Sequence, residues 1–185
     1  VLRSRSPQEK GERLHFAAQS LGLGEGDSIA VNGTCLTALN PDEDGFEADV
    51  SWETLQRTTL GQLIVDGSVN LEPPVTLATA LDGHVVSGHV DAVGCVRSID
   101  PVGEALCVWF DIPADLMRMV AEKGSIAVEG VSLTVNQVDA AGFAVMLIPH
   151  TQTLTTLDAL TVGTRVNIEV DLIARYVARW LETQT

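Results

Sequence analysis

The sequence is poor in basic residues and in cysteine. Eleven lysines and arginines stand against 25 aspartates and glutamates in 185 residues, which gives a formal net charge of −14. Such a charge repels the phosphates of nucleic acids and of anionic bilayers, so neither is an expected partner. The three cysteines, Cys35, Cys95 and Cys107, show no CxxC spacing. They disfavour a disulfide framework or a zinc site and favour a reducing cytoplasm.

Several common signatures are also missing. No apolar run approaches the roughly 18 residues of a membrane helix, and the opening VLRSRSPQEKGERL lacks the apolar core of a signal peptide. Because the chain does not start with Met, we expect natural residues ahead of Val1. There is no phosphate loop of the type GxxxxGKS or GxGxxG, no HExxH and no GxSxG. Nucleotide-dependent and serine-hydrolase chemistry are therefore disfavoured.

The sequence does contain an internal repeat. A shift of 97 positions lays residues 28–72 on residues 125–169 without a gap, and 19 of the 45 pairs are identical. The matches include SIAVNGTCLT on SIAVEGVSLT and VNLE on VNIE. Identity of this extent predicts two copies of one small module in tandem.

Each copy has the pattern of short β-strands. Alternating apolar residues around Gly33 and Gly130 predict strand, turn and strand, and Gly45 and Gly142 end polar segments typical of hairpin turns. Turns at 8–12-residue spacing favour a barrel or sandwich. Short helices are expected within residues 13–26 and 113–124.

A longer helix is expected at the C-terminus, after Asp171 as its N-cap. Its apolar residues form a single stripe: Leu172, Ile173, Tyr176, Val177, Trp180 and Leu181. An apolar stripe of this size is expected to be buried against another protein surface, so we expect this helix to mediate self-association.

Positions at which the two copies differ are candidates for divided roles. Cys35 stands opposite Ser132, each two residues before a shared threonine. One interpretation is that each is only a small buried residue of its strand. The other is that each directs a thiol or a hydroxyl group into a pocket, where it can contact a substrate. Lys123 and Glu129, which flank the second strand turn, are either surface charges or ligand contacts. His150 stands opposite Glu53 at a strand-to-helix junction, where free backbone N–H groups can serve a ligand.

The junction between the copies carries two histidines in the segment DGHVVSGHV. His84 and His89 are five residues apart, which on an extended segment puts them on opposite faces and makes them poor joint metal ligands. The neighbouring glycines permit a close approach, and a histidine near its neutral pKa is a usable acid or base.

Together these motifs resemble the riboflavin synthase family, in its trimeric form built of two barrels. The resemblance rests on NGTCLT, ETLQRTTLG, DGHVVSGHVD, KGSIAVEGVSLTV, LIPHTQTLTTL and VNIEVDLIARYV, and it covers about residues 26–177. It implies a fold dominated by β-structure, with two tandem six-stranded Greek-key β-barrels at residues 1–84 and 85–171 and a C-terminal helix at 172–185. Family members begin with a strand of the type MFTGIVE, which this sequence lacks.

The resemblance also implies an activity. Two molecules of 6,7-dimethyl-8-ribityllumazine would undergo dismutation, with transfer of a four-carbon unit, to riboflavin and 5-amino-6-(D-ribitylamino)uracil. No metal or cofactor is implied, and the site would lie between the first barrel of one subunit and the second barrel of its neighbour in a homotrimer. A non-catalytic lumazine- or flavin-binding protein of the same fold is the alternative, since fold alone does not separate the two. A purely structural two-barrel module is a third possibility.

Four residues are the catalytic candidates under this resemblance: His89 for proton transfer, and Ser132, Cys35 and Asp171 to orient or activate an added nucleophile. Residues of both barrels are expected to contact substrate: Cys35, Leu36, Thr37, Asp49, Val50, Ser51, Trp52, Glu53 and Thr54 in the first, and Gly88, His89, Val90, Lys123, Ser132, Leu133, Thr134, Met146, Leu147, Ile148, Pro149, His150 and Thr151 in the second.

Overall fold

The computed structural model describes residues 1–79 and 83–184. Asp82, which opens the junction motif DGHVVSGHV, and Thr185, at the end of the predicted helical segment, lie outside these residues. The strands are β1 Leu2–Gln8, β2 Gly11–Ala17, β3 Ser28–Val31, β4 Thr34–Thr37, β5 Gly45–Ser51, β6 Leu71–Glu72, β7 Ala92–Val102, β8 Ala105–Asp111, β9 Ser125–Val128, β10 Val131–Val138, β11 Gly142–Leu147 and β12 Arg165–Val170. The α-helices are α1 Trp52–Arg57, α2 Pro149–Leu154 and α3 Leu172–Glu182.

The two halves repeat one order of elements, which confirms the predicted duplication. The order β3, β4, β5, α1, β6 in the first half recurs as β9, β10, β11, α2, β12 in the second. The cores repeat as well, because Phe16 stacks on Phe46 with ring centroids 5.3 Å apart and Phe110 stacks on Phe143 at 5.4 Å. Each of these rings is buried and contributes about 1.5–3 kcal/mol through the hydrophobic effect.

The second half is a closed six-stranded barrel. Its strands follow the order β10-β11-β8-β7-β12-β9, and every neighbouring pair is antiparallel. Within the described part of the first half, the strands form two three-stranded sheets, β1-β2-β5 and β4-β3-β6. An isolated bridge between Leu39 and Glu47 connects these sheets at one side. The prediction of a β-dominated fold is confirmed, and closure is seen in one half.

The ring of the second half is closed by the start of its first strand. The first four residues of β7, numbers 92–95, pair with β12 and complete the ring. The counterpart of Val96 in the first half is Leu2, since each exchanges hydrogen bonds with the loop before the last strand of its half.

The prediction of two short helices is wrong. Residues 13–26 form β2 and a loop, because Leu14 and Phe16 are buried with His15 between them, a period of two rather than 3.6. Residues 113–124 contain only a 3₁₀ turn at Met117–Met119, since a segment this short cannot offset the cost of helix nucleation. The C-terminal helix is confirmed, and the Asp171 carboxylate accepts a hydrogen bond of 2.8 Å from the Ile173 N–H as its N-cap. No helix within residues 1–79 and 83–184 is long and apolar enough to cross a membrane.

The two halves meet with approximate two-fold symmetry at a pair of equivalent turns. Gly33 and Gly130, both with positive φ, face each other so closely that a Cβ on either would lie 2.6 Å from the backbone nitrogen of the other. Around them, the side-chain amide of Asn167 donates to the Asn32 carbonyl at 2.8 Å, and that of Asn70 donates to the Glu129 carbonyl at 2.9 Å. The repeat therefore builds its own interface from the same positions of each copy.

The symmetry is broken at one pair, since Asn32 of the first half corresponds to Glu129 of the second. Glu129 is only 6% exposed, and its Oε1 accepts hydrogen bonds from the Asn167 N–H at 2.5 Å and the Thr59 hydroxyl at 3.1 Å. Burial raises the pKa of Glu129 to about 7, although these two hydrogen bonds act in the opposite direction. One titratable group is thus enclosed between the halves.

Glu129 is expected to make the protein less stable as the pH rises. A carboxyl whose pKa is higher in the folded state takes up a proton on folding, so its stabilising contribution is complete below its ordinary pKa of 4.5 and is lost by about pH 7. The loss amounts to about 3 kcal/mol. Glu129→Gln keeps the acceptor oxygen and removes the charge. We expect this variant to unfold at higher urea concentration than the wild type at pH 8 and at nearly the same concentration at pH 4.5.

The control for this experiment is Glu43→Gln, which removes the same charge from an exposed loop. The pH profile of its unfolding free energy should parallel that of the wild type. If Glu129→Gln also gave a parallel profile, the buried carboxyl would not be the source of the pH dependence.

Candidate active site at the junction of the two halves

The segment of residues 83–90 joins the halves and contacts both. On the first half, the Gly88 carbonyl accepts a 2.7 Å hydrogen bond from the Cys35 N–H of β4. Gly88 has a φ of +78°, and a Cβ there would lie 2.7 Å from the Cys35 Cβ. Only glycine allows this contact. The predicted substrate-binding residues Cys35 and Gly88 therefore lie together.

Each half presents an equivalent row of three residues on the outer face of its sheet. In the first half, Ala30 of β3 pairs with Cys35 on one side and Glu72 on the other. In the second half, Ala127 of β9 pairs with Ser132 and Glu169. Strands in a sheet are about 4.8 Å apart, so each row places a thiol or hydroxyl roughly 10 Å from a carboxyl group. We call Cys35, Ala30 and Glu72 the Cys35 row. We call Ser132, Ala127 and Glu169 the Ser132 row.

A pocket of about 250 Å³ lies over the Cys35 row. Its floor is the outer face of β3 and β4 and its far wall is the junction segment; the lining consists of Ser28, Ile29, Ala30, Cys35, Glu72, Pro73, Pro74, Val75, Val85, Val86, Ser87 and Gly88. Burial raises the pKa of Glu72, and the negative charge of Glu169 raises it further. The pocket thus combines an apolar wall with a thiol and a carboxyl group that holds its proton more readily than usual.

Next to Ser132 lies a histidine, His84, that is not among the predicted catalytic residues. His84 Nδ1 lies 2.8 Å from the Ser132 hydroxyl oxygen, and its Nε2 is buried without a hydrogen-bond partner in the described part of the chain. Burial lowers the pKa of His84, and the charges of Asp171 and Glu169 partly oppose this shift. A neutral imidazole paired with a hydroxyl can pass a proton to or from a bound molecule.

The histidine that was selected, His89, is exposed and contacts the site through its backbone. The N–H groups of Ser87, Gly88 and His89 donate to the Glu169 carboxylate at 2.7, 2.9 and 3.1 Å, and the Ser87 hydroxyl donates at 2.5 Å. Glu169 is not among the predicted site residues, because it matches Glu72 across the repeat. Residues that are identical in both copies are expected to support the structure of the barrel. Of the catalytic candidates, Ser132 and Asp171 lie near His84, and Cys35 lies beside Gly88.

The predicted stretch from Asp49 to Thr54 lies apart from this cluster. Arg13 holds the Asp49 carboxylate through two bonds of 2.7 Å and lowers the pKa of Asp49. Asp49, Val50 and Ser51 line a different groove of about 260 Å³. Ser51 caps α1, Trp52 and Glu53 are exposed, and Thr54 is half-buried.

Four of the predicted substrate contacts have side chains that point into the cores: Leu36, Val50, Leu133 and Leu147. Strand alternation turns these side chains inward and leaves only the backbone groups of these residues to face a ligand, so their contact with substrate stays a prediction. Their neighbours Thr37 and Thr134 are exposed on the outer faces.

The remaining predicted residues of the second half are accessible but are not joined to Ser132. Lys123 is exposed with a φ of 65°, and Ile148, Pro149 and His150 are exposed at the start of α2. Val90, Met146 and Thr151 are half-buried. Within residues 1–79 and 83–184, neither Lys123 nor His150 hydrogen-bonds to Ser132 through its side chain, and no group of three or more His, Cys, Asp or Glu residues is placed to hold a metal ion.

Comparisons with known proteins identify the family. The Lumazine binding domain family matches residues 1–73 and 87–171. The chain is 49% identical to riboflavin synthase of Mycobacterium tuberculosis strain H37Rv over 86% of its own length and 82% of that protein, and 46% identical to riboflavin synthase of Photobacterium phosphoreum over 84% and 72%.

A solved structure shares the fold. LumP complexed with riboflavin superposes with a TM-score of 0.84 at 23% identity, over 92% of this chain and 94% of that one. LumP complexed with 6,7-dimethyl-8-(1′-D-ribityl)lumazine superposes with a TM-score of 0.81 at 22% identity. With two matched lumazine-binding segments and curated relatives nearly half identical, the chain belongs to the riboflavin synthase family of lumazine-binding-domain proteins.

Proposed function

We propose that the protein converts two molecules of 6,7-dimethyl-8-ribityllumazine into riboflavin and 5-amino-6-(D-ribitylamino)uracil, by moving a four-carbon unit from one to the other. The observation that carries the proposal is the pair of equivalent rows with different reactive ends, Cys35 in one and Ser132 in the other. A reaction between two identical molecules requires two related but unequal pockets, one for the donor and one for the acceptor. A duplicated module supplies them. The identity to proteins named riboflavin synthase supports the same conclusion.

The proposal includes a common design for the two halves. Residues 1–84 would form a barrel like that of residues 85–171, with residues 172–185 as a separate helical segment. The two three-stranded sheets of the first half and their shared core support this assignment, since their strands correspond one by one to those of the closed barrel.

The chemistry draws on proton transfer and positioning. The 7-methyl group of the lumazine is acidic because its carbanion delocalises into the ring, so a modest base is sufficient. His89 remains the candidate for this step, and the His84 and Ser132 pair is a second group able to exchange a proton. Cys35, Ser132 and Asp171 would orient an added nucleophile. Holding two rings in register can itself supply roughly 7–11 kcal/mol.

The pocket over the Cys35 row supports a site completed by a second subunit. Its volume of about 250 Å³ is below the roughly 300–1,000 Å³ of pockets that enclose a whole ligand, which favours a site that a second subunit enlarges. On α3, Tyr176 is 69% exposed and Trp180 is 62% exposed, although both lie on the apolar stripe. We propose a homotrimer in which α3 is covered and the first half of one subunit faces the second half of its neighbour. A cytoplasmic location belongs to the same proposal, supported by three free cysteines.

The decisive experiment adds 6,7-dimethyl-8-ribityllumazine to the purified protein and follows riboflavin fluorescence. Formation of one riboflavin for every two lumazines consumed is expected. Lumazine binding without riboflavin would instead favour the alternative function, a non-catalytic lumazine- or flavin-binding protein. Failure to bind lumazine would contradict both.

The trimer proposal predicts the effect of a charge on α3. Trp180→Glu introduces a carboxylate into the apolar stripe, which would have to be desolvated in a subunit contact. We expect the mass in solution, measured by light scattering, to fall to about one third and turnover per subunit to fall with it. The control is Val162→Glu, at an apolar residue that is 66% exposed in a loop outside the stripe. A wild-type protein that is itself monomeric would contradict the proposal.

A further inference from the structure

We propose that Glu169 is a positioning residue for the reaction, because it fixes the junction segment between the Cys35 row and the Ser132 row. The inference rests on the proposed function. Glu169 is only 3% exposed, although it lies on the outer face of β12. The junction segment covers it there, so the carboxylate has lost its water and depends on protein donors.

The donors form a compact set of four. Three consecutive backbone N–H groups, of Ser87, Gly88 and His89, converge on the two carboxylate oxygens together with the Ser87 hydroxyl. Consecutive N–H groups that point to one anion form a nest. Hydrogen bonds to a charged acceptor are about twice as strong as neutral ones, so this carboxylate anchors the segment firmly. We call these four bonds the Glu169 clamp.

The clamp links groups that belong to different halves. Gly88 donates to Glu169 of the second half and accepts from the Cys35 N–H of the first half. Movement of the segment would therefore shift the wall of the pocket relative to Cys35, and would move His89 as well. The clamp thus holds the wall of one substrate pocket at a fixed distance from the row that forms the other.

The repeat provides an internal comparison. Glu72 occupies the same row position in the first half, but its carboxylate accepts no hydrogen bond within residues 1–79 and 83–184 and the residue is only partly buried. If the glutamate served only the barrel scaffold, both copies would use it in the same way. The clamp exists only where the junction segment crosses the sheet, which favours a role in placing that segment.

The test is Glu169→Gln. The amide keeps one acceptor oxygen and replaces the other by an NH₂ group, which opposes the backbone N–H groups and opens half of the clamp. We expect kcat for riboflavin formation to fall about tenfold while KM for the lumazine changes by less than about twofold, since a displacement below 1 Å can cost this much. Amide hydrogen exchange of residues 87–89 should accelerate by a similar factor. Ser87→Ala, which removes one donor, should lower kcat by about twofold to threefold and serves if Glu169→Gln does not fold.

The matched control is Asp139→Asn, a second carboxylate that accepts two backbone N–H groups, those of Ala141 and Gly142, in a turn remote from the junction. It should reduce stability and leave kcat unchanged. Equal losses of kcat in both variants would make Glu169 merely structural, and an unchanged kcat in Glu169→Gln would also overturn the inference. Wild-type protein that binds lumazine without forming riboflavin would overturn the proposed function instead, whatever the exchange rates show.

Discussion

Replacement of both Cys35 and Ser132 by alanine is expected to lower turnover about 10³-fold. Ser132→Ala alone should account for about 10², because it removes the hydroxyl that pairs with His84 Nδ1 at 2.8 Å, and proton transfer by a positioned group contributes roughly 10²–10⁴. Cys35→Ala should account for about tenfold. Activity should remain above background, since two substrates held in register react faster even without either side chain.

Steady-state formation of riboflavin measures these losses. The exchange variants Cys35→Ser and Ser132→Cys keep a polar group in each row and should lose much less activity than the alanine variants. Cys95→Ala, at a half-buried cysteine of β7 away from both rows, controls for the loss of a thiol. A double alanine variant with wild-type turnover would remove the rows from the mechanism.

The repeat was the most informative feature of the sequence, because identity at a fixed shift does not depend on identifying any single strand. It predicted the equivalence of Cys35 and Ser132, which the structure places at matching positions of two sheets. Local patterns were less reliable. Leu14 and Phe16 alternate with His15 in a strand, whereas the apolar residues of this segment predict a helix.

The site was predictable only in part, since it depends on where one segment crosses the molecule. The sequence shows two histidines five residues apart and gives no means to decide that His84 meets Ser132 while His89 is exposed. The role of Glu169 could not be predicted from the sequence for a related reason. Its match to Glu72 indicated scaffold, and its burial arises from residues about 80 positions away in the chain.

Alanine at Gly130 is expected to destabilise the protein by about 3 kcal/mol. A φ of +80° costs an L-residue roughly 1–2 kcal/mol. The remainder comes from the new Cβ, which would lie 2.6 Å from the Gly33 nitrogen. The obstacle is backbone, so no change of rotamer relieves it and the two halves must move apart. Gly33→Ala should have a similar effect, because the contact is reciprocal.

Urea unfolding of Gly130→Ala and Gly103→Ala separates the two contributions. Gly103 also has a positive φ, of +63°, but nothing lies within 4 Å of the position of its Cβ, so its alanine variant should lose only about 1 kcal/mol. The junction segment lies between the same halves, so Gly130→Ala should also lower riboflavin formation, whereas Gly103→Ala should not. Equal losses of stability in the two variants would mean that the halves can separate at the glycine pair without cost, and the site between them would then need another means of alignment.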